Sequence, residues 1–322
     1  MNQHYRIYGG ELSYFTRKLE AAMIFYRADF QMCRKGPDNA KEIELRSGTH
    51  QVPALLTPEN WMLADTTPVI RLLDGRFKGR EMFPDGPLGL LTHILEEYFD
   101  EWIARTMVHY RWHYEESAVF ASERMAAGNS DAAARIRNWG PRACRATGTE
   151  SEHQQAAAEA EYIRIVEAME SQLQESPYML GNRPTAVDCI LLGGLRAHTN
   201  MDPTPKKAIQ KYNRVIRWAE ESADQWDGKG ELAPFPESTP FARFVLAEMG
   251  STYAPFVLAN ADALKAGAKA FHASIYGEDV SYLSRPYPER SRQMIRERVT
   301  ETIQGDSVSN WLRTVKLDTC FL

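Results

Sequence analysis

The N-terminal part of the chain alternates short apolar runs with amphipathic segments. Residues 5–8 predict a strand that ends at Gly9-Gly10, and residues 30–32 predict a second strand. Between these strands, apolar side chains recur at the spacing of a helix face, at Phe15, Leu19, Ala22 and Tyr26. Residues 38–45 predict a brief helix after the second strand. This part of the chain is therefore expected to alternate strand and helix.

The next stretch carries the signals of a hairpin. Residues 54–57 and 61–64 are short β-prone runs separated by the turn-forming residues Pro58-Glu59-Asn60. Val52-Pro53 stands just ahead of them, where a proline can start a strand without donating to its ladder and where the peptide bond can be cis. We expect two antiparallel strands with a proline at their entrance.

A helix start comes after the hairpin. Asp65-Thr66-Thr67-Pro68 places capping side chains before an apolar run, with Pro68 predicted at the first helical position. The first turn of such a helix offers unpaired backbone N–H groups and a positive dipole end, which suit a small carboxylate, while Asp65 suits an ammonium group. A free α-amino acid terminus fits this arrangement. The alternative is that Thr66 and Thr67 only cap the helix.

Composition narrows the classes of function. The 322 residues leave room for more than one domain, and the 25% charged content is ordinary for a soluble protein. The net charge of -5 gives no electrostatic reason to expect nucleic acid or an anionic membrane as a partner. No apolar run approaches a membrane span, and residues 1–4 lead into a strand instead of a secretory signal. We expect a cytoplasmic protein with reduced thiols at Cys33, Cys144, Cys189 and Cys320.

The elements occur in the order β-α-β-α-β-β-α, with Val-Pro before the third strand, which is the layout of a thioredoxin-like domain. A more specific likeness is carried by the segments IYGGELSYFTRKL, QVPAL, ADTTPVIRLL and GNRPTAVDCILL. In the last of these, Thr185 and Asp188 match the capping box of a core helix. On these segments the chain resembles the glutathione transferase superfamily. The resemblance implies an α/β thioredoxin-like domain followed by an all-helical C-terminal domain.

The resemblance also implies a binding site for glutathione as co-substrate. Glutathione would lie along Val52-Pro53 and pair with the Val52 backbone as an added strand. Asp65 and Thr66 would hold its γ-glutamyl end, and Gln51 would reach its glycine carboxylate. An exposed polar role is the alternative for Gln51.

Ser13 matches the activating hydroxyl of serine-type members, at a position where thiol-disulfide members carry cysteine. A hydroxyl at a helix start can donate to the glutathione sulfur and, with the helix dipole, favours thiolate over thiol. Lowering a thiol pKa of about 8.5 by roughly two units would raise the thiolate fraction more than tenfold. Tyr8 matches the phenol of tyrosine-type members and is the second candidate. A plain N-cap is the alternative role for Ser13.

After a linker over residues 77–87, the pattern becomes helical and shows no further strand. Residues 88–127 predict the longest helix, and one face of it carries Tyr98, Trp102, Thr106, His109 and His113. A stripe of this kind more often packs in the core than lines a pocket. In the family, however, the equivalent helix lines the co-substrate cleft, which makes candidates of Trp102, Thr106, His109 and His113.

His109 and His113 also have the spacing of helical metal ligands. No third ligand is fixed by spacing and the family needs no metal, so we expect no metal site. Further helices are predicted at residues 162–173, 185–199 and 208–223.

We expect a thioredoxin-like glutathione-binding domain over residues 1–77, an all-helical co-substrate domain over 88–227, and a helical extension over 228–322. The extension holds a proline-rich connector at 233–240 and predicted helices at 255–276 and 288–304. It could shield the co-substrate cleft, enlarge a dimer interface or bind a partner. We expect it to pack on the helical domain.

The leading hypothesis is a glutathione transferase or glutathione-dependent lyase, in which the bound thiolate attacks a hydrophobic electrophile, as in detoxification. The alternative is a non-catalytic binding protein of the same fold. A thiol-disulfide reductase is disfavoured because position 13 is Ser13 and not cysteine. The resemblance implies a homodimer.

Overall fold

The computed structural model describes residues 4–302 and 307–322. Its N-terminal part is a small sheet with helices packed on it. Its elements are β1 (Tyr5–Gly9), α1 (Tyr14–Tyr26), β2 (Phe30–Arg34), α2 (Ala40–Ser47), β3 (Ala54–Leu56), β4 (Met62–Ala64) and α3 (Thr66–Asp74). The strand order is β2-β1-β3-β4, with β1 parallel to β2 and the other pairs antiparallel. The predicted thioredoxin-like layout and the hairpin are confirmed.

The helical region after α3 is confirmed as a class but differs in its boundaries. Its helices are α4 (Gly86–Glu97), α5 (Ala104–Trp112), α6 (Glu115–Ala126), α7 (Ser130–Ala146), α8 (Glu152–Glu175), α9 (Ala186–Gly194), α10 (Pro203–Ala208) and α11 (Asn213–Arg217). π-helical turns continue three of them, over Tyr98–Ile103, Leu195–Thr199 and Trp218–Ser222, and a 3-10 turn comes next at Ala223–Gln225.

The single helix predicted over residues 88–127 is wrong. A π-helical turn separates α4 from α5, and the chain then breaks at Tyr114, whose φ of -86° and ψ of 123° are extended. Glu115 and Glu116 stand in the first turn of α6, where carboxylates favour a helix start. The helix predicted over 208–223 is also wrong at its beginning, because α10 ends at Ala208 and α11 starts at Asn213.

α1 and α9 approach closely in the centre of the molecule. Thr185 and Asp188 form the predicted capping box at the start of α9. At its end, a Cβ on Gly193 would lie 2.6 Å from the backbone oxygen of Tyr14, and one on Gly194 would lie 2.8 Å from the ring of Tyr14. These two glycines therefore let α9 pack directly on the helix that starts beside Ser13.

The extension contains strands as well as helices. Its elements are α12 (Pro240–Ser251), α13 (Tyr253–Lys265), β5 (Ala270–Ile275), β6 (Glu278–Leu283), α14 (Pro286–Thr302), α15 (Ser307–Thr314) and α16 (Asp318–Phe321). The helix predicted over residues 255–276 is wrong beyond Lys265, because Phe271, Ala273 and Ile275 alternate as the buried face of a hairpin. Of the helix predicted over 288–304, residues 303–304 lie outside the described ranges.

The extension packs against the helical region through buried polar contacts. The Tyr253 hydroxyl donates to Glu97 at 3.0 Å, and the Tyr276 hydroxyl donates to Glu161 at 2.5 Å. Glu161 is fully buried, and so is Tyr253. Within residues 4–302 and 307–322, no helix is both long and apolar enough to cross a membrane.

Candidate functional site

A cleft of about 460 Å³ separates the thioredoxin-like region from the helical region and the extension. The residues predicted to hold glutathione all line it: Gln51, Val52, Pro53, Asp65 and Thr66. They come from the entrance of β3 and the start of α3, which the sheet brings side by side because β3 pairs with β4. The volume lies within the range of small-molecule sites.

Val52 presents free backbone groups to this cleft. The Val52-Pro53 peptide bond is cis, and β3 begins only at Ala54. The Val52 N–H and C=O make no hydrogen bond with any other residue that the structure describes. An extended peptide can therefore pair with Val52 as an added strand.

Asp65 holds an uncommon backbone conformation at the start of α3. Its φ of 72° and ψ of 104° lie outside the regions that side-chain-bearing residues prefer, and its carboxylate makes no capping bond to the helix. Strained residues of this kind concentrate at functional sites. α3 begins at Thr66, so the prediction of Pro68 at the first helical position is wrong: it is the third. The Thr66 end of the helix faces the cleft with its unpaired N–H groups.

A buried lysine underlies this helix start. The Lys18 ammonium on α1 pairs with Glu96 and Asp100, and it donates to the Thr67 hydroxyl at 2.8 Å. Burial alone would lower the pKa of Lys18, but the two carboxylates reverse the effect and raise it. Thr67 also donates to Glu96 at 2.8 Å, so its hydroxyl serves this network and does not cap α3. The network fixes α3 against α1 and α4.

Carboxylates form the floor of the cleft, where Asp65 is joined by Glu97, Asp100 and Glu101. Burial is the main cause that raises the pKa of Asp65 and of Glu97, and neighbouring carboxylates add to it. Burial likewise raises the pKa of Glu101 to about 7. Burial penalises the charged form of these carboxylates, and the ammonium group of a ligand would offset that penalty.

The extension supplies cations at the mouth of the same cleft. An Nη2 atom of Arg285 lies 3.2 Å from Glu101, and Nη1 of Arg290 lies 3.9 Å from Asp65. Both arginines line the cleft and are partly exposed. A zwitterionic ligand end can meet both signs of charge there.

Ser13 lies beside the cleft and not in it. Its side chain accepts a hydrogen bond from the Thr16 N–H at 3.2 Å, so it is the N-cap of α1. Its hydroxyl makes no bond as a donor to another described residue and remains able to donate to a ligand. Ser13 lines two neighbouring cavities, here called the basic groove and the apolar pocket.

The basic groove, of about 830 Å³, is lined by Ser13, Cys33 and Val52 and by the charged side chains of Glu11, Arg17, Arg34, Lys35 and Arg124. Glu11 pairs with Arg124. Val52 lines the cleft as well, so the groove adjoins the cleft at this residue. The apolar pocket, of about 370 Å³, is lined mainly by Leu12, Met107, Trp112, Met125, Ile136 and Trp139. It shares Phe15, Ala104 and Val108 with the cleft.

Tyr8, the second candidate for thiol activation, lies on β1 opposite Cys33 of β2 and Ala54 of β3. Its side chain is half-buried and lines none of these three cavities as the described residues form them. Ser13 is therefore better positioned than Tyr8 to contact a ligand thiol.

The predicted co-substrate residues face different surroundings. Trp102 lines the cleft, but Thr106 and His109 are fully buried in the core and His113 is exposed outside it. His109 contacts Glu159 at 2.6 Å through Nε2. The expectation that the stripe lines a pocket is thus wrong for Thr106, His109 and His113. The adjacent face of α4, the π-helical turn and α5 lines the cleft instead, with Glu97, Glu101, Ala104, Arg105 and Val108.

Metal coordination finds no support in the geometry. Within the described ranges, no group of three or more histidine, cysteine or acidic residues is arranged to hold a metal ion. His109 and His113 stack on each other with ring centroids 4.9 Å apart.

Sequence reasoning missed the cleft residues that the extension supplies, chiefly Phe256, Tyr282, Arg285 and Arg290. One local signal could have revealed part of this wall: Phe271, Ala273 and Ile275 alternate before Tyr276-Gly277, a two-residue turn. No local signal could have shown that Arg285 or Arg290 reaches the cleft.

Comparisons with known proteins found a match to one family model and matches to solved structures. Residues 124–225 match the model of the family described as glutathione S-transferase, C-terminal domain. Among solved structures, a glutathione S-transferase from Rhodospirillum rubrum F11 is 12% identical, with 75% of this chain and 91% of that chain covered and a TM-score of 0.45. A glutathione S-transferase of Ceriporiopsis subvermispora in complex with glutathione is 14% identical, with 68% and 99% covered and a TM-score of 0.49.

A glutathione S-transferase from Methylobacterium radiotolerans in complex with glutathione sulfonate is 16% identical, with 71% of this chain and 98% of that chain covered and a TM-score of 0.44. No curated protein matches the chain. Residues 124–225 of the helical region are therefore similar to the glutathione S-transferase C-terminal domain.

Proposed function

We propose that the protein is a cytoplasmic glutathione transferase or glutathione-dependent lyase, which presents the glutathione thiolate to a hydrophobic electrophile. One observation carries the proposal. Val52, Asp65 and Thr66 face a single cleft, and this cleft adjoins the groove of Ser13 at Val52. Glutathione bound along Val52 can therefore place its γ-glutamyl end at α3 and its sulfur towards Ser13.

Each part of the tripeptide meets suitable groups in this placement. The free backbone of Val52 pairs with the cysteinyl residue. The Thr66 end of α3 and Arg290 hold the γ-glutamyl carboxylate, because N–H groups and a cation both favour an anion. Asp65 and Asp100 hold the ammonium group. Gln51, exposed at the rim, suits the glycine carboxylate.

Ser13 has the role of stabilising the thiolate without itself attacking. Its hydroxyl donates to the sulfur while its oxygen still accepts from the Thr16 N–H. The start of α1 adds positive potential, which lowers a thiol pKa. The wall that the cleft shares with the apolar pocket, at Phe15, Ala104 and Val108, gives a hydrophobic electrophile an apolar approach to the sulfur.

The test measures thiolate formation and conjugation together. Glutathione added to the protein at neutral pH should show thiolate absorbance in the ultraviolet, and a chlorodinitrobenzene should be conjugated faster than in buffer. If glutathione binds without thiolate absorbance or conjugation, the transferase proposal fails.

A non-catalytic binding protein is the second candidate, and one observation favours it. Ser13 is engaged as the cap of α1 and lines the groove and the pocket but not the cleft. Glutathione binding with an unshifted thiol pKa would establish this alternative.

We also propose that the protein assembles as a homodimer, as members of the superfamily usually do. Light scattering at micromolar concentration should give twice the mass of the 36.7 kDa chain. A monomeric mass would contradict the proposal.

A further inference from the structure

Two buried polar side chains on one wall of the cleft have hydrogen-bonding atoms without a partner. Arg105, on α5, is 4% exposed, and its Nε and Nη1 atoms make no bond to any residue that the structure describes. Tyr282, on β6, is 2% exposed, and its hydroxyl is likewise unpaired. Both residues line the cleft. Buried donors are costly to leave unpaired, so the wall favours a ligand that accepts hydrogen bonds there.

Arg105 is held in place by its other contacts. Its Nη2 donates to Glu161 at 3.1 Å, and its guanidinium stacks over the Trp102 ring, 3.9 Å from the centroid. Glu161 also accepts from the Tyr98 hydroxyl at 2.6 Å and from the Trp102 indole at 3.0 Å. Because Glu161 also accepts from these neutral donors, only the Nη2 atom of Arg105 is bonded to it. The remaining nitrogens belong to a cation whose position is already fixed.

Aromatic rings surround these donors. Phe256 lies 5.3 Å from Trp102 and 5.2 Å from Tyr282 between ring centroids, and all three residues line the cleft. The distances are those of favourable ring pairs. These rings are almost fully buried and border the cleft, so a flat aromatic ligand would pack beside them with hydrogen-bond donors on the same wall.

We propose that the electrophilic co-substrate is an aromatic acid, whose carboxylate is bound by Arg105 and Tyr282 and whose ring packs against Trp102 and Phe256. This inference rests on the transferase function proposed above. A carboxylate gains charge-assisted hydrogen bonds from arginine. The neutral ester of the same acid leaves the guanidinium and the hydroxyl poorly satisfied, so it is discriminated against.

The experiment compares a chlorodinitrobenzoate, with its chlorine activated by both nitro groups, with its methyl ester. In either reaction the glutathione sulfur bonds to the chlorine-bearing carbon, chloride leaves with the bonding electron pair, and the thiol proton passes to solvent. After correction for the uncatalysed rates, kcat/KM should be at least about 10-fold higher for the acid. Equal values, or a preference for the ester, would overturn the inference.

Two variants assign the preference to these residues. Tyr282→Phe removes only an unpaired hydroxyl and keeps the ring, so the protein should fold and lose several-fold of the preference. Arg105→Gln should abolish the preference. If Arg105→Gln fails to fold because Glu161 loses its cation, the Tyr282→Phe result decides. Tyr212→Phe is the matched control, since its hydroxyl bonds Glu167 away from the cleft, and it should keep the full preference.

Binding separates a failure of this inference from a failure of the transferase function. If neither compound is conjugated, dinitrobenzoate and its methyl ester, which lack the leaving group, are titrated into the protein by calorimetry. Tighter binding of the acid by about 10-fold, lost in Tyr282→Phe, supports the anionic site without catalysis. Equal affinities overturn the site itself.

Discussion

The two walls of the cleft offer different kinds of chemical group. The thioredoxin-like wall offers mainly backbone: the free N–H and C=O of Val52 and the helix start at Thr66. The opposite wall, from α5 and the extension, offers side chains such as Arg105 and Tyr282. Backbone groups suit a peptide, whose own N–H and C=O groups pair with them. Side chains can instead be shaped to one particular co-substrate.

Because the two walls use different groups, specificity for glutathione and specificity for the electrophile should be alterable separately. Changes in the thioredoxin-like wall should affect glutathione, whichever electrophile is present. Changes at Arg105 or Tyr282 should affect the electrophile and leave glutathione affinity nearly intact, whereas Arg290 of the extension belongs with the glutathione site. Single substitutions on each wall can therefore support or refute this division.

The largest effect is expected at Ser13. Ser13→Ala should reduce turnover with a general electrophile by roughly 10- to 1000-fold, the range found when one stabilising donor is removed. Glutathione affinity should change much less, because the Val52 and Asp65 contacts remain. Initial rates at saturating glutathione measure the effect.

In Ser13→Ala, the effect of losing the helix cap must be distinguished from the effect of losing the hydroxyl that stabilises the thiolate. Asn129→Ala is the matched control, because Asn129 caps α7 by accepting from the Ala132 N–H at 2.9 Å. Both variants should lose about 1 kcal/mol of stability, and only Ser13→Ala should lose turnover. If Ser13→Ala stays fully active while Tyr8→Phe does not, the assignment moves to Tyr8.

A smaller effect is expected in the turn between β5 and β6. Tyr276 and Gly277 have φ of 52° and 79°, as in the two-residue turns that match strand twist. Gly277→Val should cost about 1–2 kcal/mol of unfolding free energy, because a branched side chain resists this conformation. Discrimination between the acid and its ester should fall with it, since Tyr282 belongs to this hairpin.

Chemical denaturation measures that cost, and Gly250→Ala serves as its control. Gly250 lies in α12 with open space around its Cβ position, so alanine should be neutral or stabilising by about 0.5–1 kcal/mol. An unchanged stability in Gly277→Val would mean that the hairpin contributes nothing to this wall.

The smallest effect is the pH dependence of the carboxylates between the walls. Burial raises the pKa of Glu96 to about 8 and that of Glu101 to about 7. Such groups bind protons more tightly when folded, so the stability they contribute is full below the unfolded pKa of about 4.3 and is lost as pH rises. Unfolding free energy should therefore fall between about pH 6.5 and 8, by less than roughly 1.4 kcal/mol per pH unit for each group.

Denaturation curves across this window test the sign. Buried histidines such as His198, whose pKa burial lowers to about 4, are neutral when folded but partly protonated when unfolded near pH 6.5, so they oppose this fall in the lower part of the window. Glu101→Gln should flatten the slope, whereas Glu42→Gln, at an exposed position, should leave it unchanged. A stability that rises with pH over this window would contradict the assignment.

The thioredoxin-like wall could be predicted from the sequence because its signals are local. Val52-Pro53 and Asp65-Thr66 mark a strand entrance and a helix start within a short stretch, and the structure brings them to one cleft. The positive φ of Asp65 could not be foreseen, because residues other than glycine mostly have negative φ.

The opposite wall depends on contacts between distant segments, and its prediction failed for physical reasons. On the long helical segment, Trp102 lines the cleft, but Thr106 and His109 lie in the core. Helical spacing gives a face but not its direction, and a π-helical turn over Tyr98–Ile103 rotates the faces of α5 relative to those of α4. The buried Lys18 was missed because its carboxylate partners come from another helix.

Glutathione binding through the γ-glutamyl end can be measured by calorimetric titration of glutathione into the wild type and Asp65→Ala. Asp38→Ala, at an exposed position of the same region, is the control. We predict that the wild type and Asp38→Ala bind alike, and that Asp65→Ala binds more weakly by about 2 kcal/mol or more through loss of a charge-assisted bond. Unchanged affinity in Asp65→Ala, or no binding by the wild type, would contradict the claim that the cleft between these two walls is the glutathione site.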